Sequence, residues 1–100
     1  MTVYKHMMIV EDGENVENSL HLTEHDRALR LIAIVEGDEI GDGYISEVIE
    51  DGLDGEEPPA DPEEYFALLR ELLSENGIDV HLDDLEAPAE KDEHAGWSNP

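Results

Sequence analysis

Hydrophobic and polar positions change their period several times along the chain, and each change marks an element. The clearest stretch is Asp61 to Gly77, DPEEYFALLRELLSENG. At 3.6 residues per turn, Tyr65, Phe66, Leu68, Leu69, Leu72 and Leu73 fall within an arc of roughly 160°, the pattern of an amphipathic helix. Glu63, Glu64, Ala67, Arg70, Glu71, Ser74 and Glu75 fill the opposite arc. Asp61 is placed to cap this helix, Pro62 to take its first position and Glu64 to complete a capping box. Asn76-Gly77 supplies the left-handed stop.

Residues 2–10, TVYKHMMIV, are strand formers without glycine or proline. Asp12-Gly13 is a strong hairpin signal. Beyond it, Val16, Asn18, Leu20 and Leu22 alternate with Glu17, Ser19 and His21, the period of a half-buried strand. A β-hairpin over 2–22 follows. Thr23 to Asp26 can cap a helix running to about Glu36, ended by Gly37, although the β-branched run within it also permits a strand. Its segment Ala28 to Val35 is apolar nearly all round, so it must lie centrally in the core or under a partner.

Asp38 to Gly43 reads as a loop, and Tyr44 to Asp51 as a short helix stopped by Gly52. Residues 53–60, with two prolines, form a linker-like turn. Ile78, Val80 and Leu82 alternate with Asp79, His81 and Asp83, a strand able to join the hairpin in a three-stranded antiparallel sheet. From Glu86 no period remains. The expected architecture is α+β: a small single domain over residues 1–86, with an N-terminal β-hairpin, two to three helices and a C-terminal strand. Residues 87–100 are expected to form a mobile tail.

One hundred residues suit one small domain. Charge changes the picture more. Twenty-eight acidic residues face five basic ones, Lys5, Arg27, Arg30, Arg70 and Lys91, for a formal charge of −23. Such a chain repels itself, and it repels DNA, RNA and anionic membranes. A basic protein surface is the favoured partner. Cysteine is absent, which excludes disulfide and thiol chemistry. The opening MTVYKHMMIV is too short and too polar for a signal peptide, and no apolar run reaches spanning length. The expected location is the cytoplasm, here that of a bacterial host cell.

Candidate chemistry adds little. His21 and His25 have helical metal-binding spacing, but the proposed cap Thr23 lies between them, and Leu22 stands where a zinc protease needs glutamate. Calcium-loop registers beginning at Asp38 or Asp42 put Ile40 or Tyr44 where an oxygen ligand belongs. No nucleophile elbow or phosphate-binding loop is present. The chain is expected to be no enzyme and to need no cofactor or metal. Trp97 is either a solvent-exposed tail residue or a partner anchor. Acidity can also reflect adaptation to high salt, although Glu here outnumbers Asp, 17 to 11.

Carboxylates on a helix are displayed at regular intervals. Glu64, Glu71 and Glu75 share one stripe with axial steps of roughly 10 and 6 Å. Duplex DNA presents a charge about every 1.7 Å along its axis. Several such stripes can offer a basic cleft much of what DNA offers it. The candidate partner-binding residues are Glu63, Glu64, Glu71 and Glu75 on the main helix, and Asp79, Asp83 and Asp84 on the last strand. Glu36, Asp38, Glu39, Asp42, Glu47 and Glu50 join them around the acidic loop and short helix.

In length, acidity, lack of cysteine and sequence from MTVYKHMMIVEDGENVENSLHLTEHD onward, the chain resembles small phage-encoded anti-CRISPR proteins that act on type I systems. That resemblance implies binding to the RNA-guided surveillance complex, type I-F first and type I-E next, on surfaces that otherwise grip target DNA. The family shares no motif, so it assigns no individual residue. The rival reading is a regulatory binding module, such as an antitoxin or a partner of a basic DNA-binding protein. An exposed helix 24–36 would favour it.

Overall fold

The computed structural model describes residues 2–87. The order of elements is β1 (Thr2–Glu11), β2 (Glu14–His21), α1 (Glu24–Glu36), a 3-10 turn (Gly41–Gly43), α2 (Ile45–Leu53), α3 (Pro62–Glu75) and β3 (Ile78–Ala87). The three strands form one antiparallel sheet in the order β2-β1-β3. This is the α+β domain that the periodicities predict. Most of the expected tail, including Trp97, lies outside the described residues, whereas Ala87 belongs to β3.

Local chemistry accounts for most boundaries. At the hairpin, Asp12 and Gly13 take φ of 53° and 81°. Both central residues of this two-residue turn are left-handed, as its right-twisted strands require. Thr23 Oγ1 accepts from the Asp26 amide at 3.0 Å and starts α1. Asp61 Oδ1 accepts from the Glu63 amide at 3.2 Å, one residue short of the capping-box position, and Pro62 opens α3. Gly77, at φ 82°, ends it.

Helices α1 and α3 pack together, and they cover the sheet face that carries Met7, Ile9, Ile78 and Val80. Leu31, Ile34, Val35, Ile45, Ile49, Leu69 and Leu73 complete a fully buried centre. The nearly all-apolar α1 is thus a core helix of this chain, with Leu29 remaining 44% exposed.

Two expectations are corrected. Register shifts between Ile9 and Val10, so Ile9 faces Glu17 while Val10 faces Asn15, and Val16 is the extra residue of a bulge. Residues paired across strands share a face. Glu17 and Ser19, opposite Ile9 and Met7, therefore lie on the helix-covered side, and Leu20 with Asn18 on the other. The alternation is real, but its polar members face the helices. The second correction concerns Gly52, which does not end α2. The helix runs on to Leu53 and closes at Asp54, at φ 53°. A Cβ at Gly52 would come within 2.8 Å of Leu72 Cδ2. Glycine sits here because α2 and α3 approach closely.

An acidic face segregated from the basic side chains

The four described basic residues are all engaged on the sheet, α1 or the α3–β3 seam. Lys5 Nζ lies 3.3 Å from Asp84 and 3.9 Å from Glu24. Arg27 is buried, donates from Nη1 to the His6 carbonyl at 3.1 Å, and stands 6.0 Å above the Phe66 ring. Arg30 donates from Nε to Glu17 at 3.1 Å and from Nη2 to Glu39 at 3.4 Å. Arg70 Nη2 donates to the Val80 carbonyl at 3.2 Å.

Residues 31–69 contain no Lys, Arg or His. They build the end of α1, all of α2, the following turn and the first half of α3. The exposed carboxylates of α2, Glu47, Glu50 and Asp51, fall within an arc of about 100°. On α3, Glu63, Glu64, Glu71 and Glu75 are all exposed, as the amphipathic pattern predicts. Among the described residues, these side chains form no ion pair with the basic groups above.

The other candidates divide. Glu36 and Asp42 are exposed. Asp38 is half-buried, and its Oδ1 accepts from the Ser46 amide at 2.8 Å, tying the loop to the start of α2. Glu39 is held by Arg30 and Asp84 by Lys5. Asp79 and Asp83, opposite Val10 and His6, lie on the sheet face away from the helices. Glu71 and Asp79 meet at a cleft of about 400 Å3, where Arg70 is also present. Glu36 and Glu50 meet at another, of about 230 Å3.

Sequence reasoning passed over Asp51, which completes the α2 stripe, and Glu11, whose carboxylate accepts from the Gly41 amide at 3.1 Å. The three-residue step from Glu47 to Glu50 and Asp51 beside it were visible signals for the stripe. No helix among the described residues is long and apolar enough to cross a membrane. The fold and the charge pattern together define a small acidic α+β domain in which carboxylates are exposed on helices and strands alike, and in which residues 31–69 carry no basic side chain to offset theirs. Comparison with family models, curated proteins and solved structures finds no match.

Proposed function

We propose that the protein is an acidic nucleic-acid mimic that inhibits a type I CRISPR surveillance complex, type I-F being the first to test. It would occupy a basic cleft that grips target DNA, block DNA binding and catalyse nothing. The observation that carries this reading is the segregation of the basic groups: residues 31 to 69 hold exposed carboxylates and no Lys, Arg or His, with the basic side chains drawn elsewhere. Carboxylates interspersed with basic groups would indicate solubility alone. Carboxylates without such neighbours have a potential that a cationic cleft can recognise.

The test is competition. The surveillance complex is titrated with the protein in the presence of labelled target duplex at two ionic strengths. Glu47→Lys/Asp51→Lys, on the exposed stripe of α2, should weaken binding far more than Glu14→Lys/Glu86→Lys, which changes net charge equally on the strands. Like charges placed opposite one another at an interface cost several kcal/mol. Affinity should also fall as salt rises, as it does for DNA. Equal losses from the two double variants would mean that only bulk charge matters. Simultaneous binding of protein and DNA would exclude mimicry.

A further inference from the structure

The 230 Å3 cleft between α1, α2, the proline turn and α3 combines an apolar interior with an anionic mouth. Val35 and Ile49 are buried in its wall, and Leu53 and Pro58 extend it. Glu36 and Glu50, both exposed, stand at its edge. Its volume is below the range of about 300–1,000 Å3 usual for small-molecule sites. It matches the scale of one long side chain.

The end of α1 adds to the anionic mouth. Val35 and Glu36 belong to its last turn, whose partial negative charge reaches the cleft, whereas α2 runs along the wall from Ser46 in its first turn to Leu53 in its last, and α3 contributes Tyr65 from its first turn. Cations are favoured at such an end, yet the last turn of α1 carries no basic residue. Burial raises the Tyr65 phenol above its ordinary value, and the Glu36 charge adds to the effect.

We infer that this cleft is an anchor for one lysine or arginine side chain of the partner. The alkyl stem would lie against Val35, Ile49 and Leu53, and the charged head between Glu36 and Glu50. Long cationic side chains bury their methylenes on apolar surface while the head stays polar, so a slot of this construction suits them. The inference rests on the mimicry reading and deepens it: helical stripes supply long-range attraction, and the slot supplies a positioned contact.

Butylguanidinium is the probe, with butylurea as its uncharged counterpart and guanidinium as the head without a stem. Methyl resonances of Ile49, Leu53 and Val35 are followed by NMR. Butylguanidinium should give saturable shifts confined to these groups, while the two controls give much smaller, non-saturating ones. Glu36→Gln and Glu50→Gln, at exposed positions, should each weaken the probe about two- to fivefold, the range that an exposed charge pair supports. Saturable shifts of equal size with butylurea, or no saturation with butylguanidinium, would overturn the anchor. The DNA competition assay separates the two readings. Competition without probe binding leaves mimicry standing and removes the anchor. Probe binding without competition does the reverse for the free slot and removes the partner. If both Gln variants lose the probe but compete as well as the parent, the slot is not where the partner is held.

Discussion

Glu17 shows how one polar residue is accommodated on the helix-covered side of the sheet. Burial alone would raise its carboxyl, but hydrogen bonds from Arg30 and Ser19, with the charges of Arg30 and His21, outweigh that and leave it below the ordinary 4.5. His21 is also lowered, chiefly by burial, with the Glu17 charge opposing. A carboxyl lowered by folding stabilises above its unfolded pKa, and the gain is lost as pH falls through the folded value. Glu17→Gln should therefore cost about 1–2 kcal/mol near neutrality, and the gap between the two proteins should close in melts taken progressively below pH 4.5. The same substitution should depress the His21 titration further below 6.5, since it removes the charge that favours the imidazolium. NMR titration reads this directly. A gap in stability that persisted into acid would mean that Glu17 acts through packing rather than charge.

At the scale of elements, Gly52 sets the approach of α2 to α3. Gly52→Ala should gain about 1 kcal/mol from helix propensity and lose about 1–3 kcal/mol to overpacking against Leu72, for a net loss in thermal or chemical unfolding. In a Leu72→Ala background the same change should become stabilising, because the clashing methyls are gone. Additive effects would show that the two side chains do not meet. This pair also marks the limit of what the sequence discloses. Helices α1 and α3 and the Asp12-Gly13 turn were legible because capping and turn residues act within a few positions of themselves. Gly52 reads locally as a stop; only the neighbouring helix, twenty residues on, reveals it as a contact. The bulge at Val16 is hidden for the same reason, since it depends on where β1 places Ile9 and Val10. On the acidic face, the α3 stripe followed from its own period. The internal ties of Asp38, Glu39 and Asp84 depend on partners eight or more residues away, at Ser46, Arg30 and Lys5, and no local pattern announces them.

At the scale of the molecule, charge works in opposite directions on folding and on binding. With −23 formal charges, the compact state is strained by self-repulsion. Salt screens like charges over about 10 Å at 0.1 M, so the melting temperature should rise as sodium chloride is added. Partner affinity should fall over the same range. Leu69 is fully buried on α3, and Leu69→Ala should cost on the order of 2–5 kcal/mol. That variant should be unfolded at low ionic strength and partly recovered at high, as circular dichroism would show. A parent whose melt did not respond to salt would place its carboxylates farther apart than the acidic face described here.

The strand order has a consequence for the history of each molecule. β1 is made first and lies in the middle of the sheet, but one of its neighbours, β3, is made last, and Thr2 pairs with Ala87. The hairpin can close as soon as β2 leaves the ribosome. The other side of β1 must then wait, with its amides and carbonyls unpaired, until Ile78 to Ala87 has been synthesised. An unpaired strand edge is a template for association with other chains. Folding of this domain therefore waits for its last strand. During the wait, the like charge of every nascent copy keeps them apart.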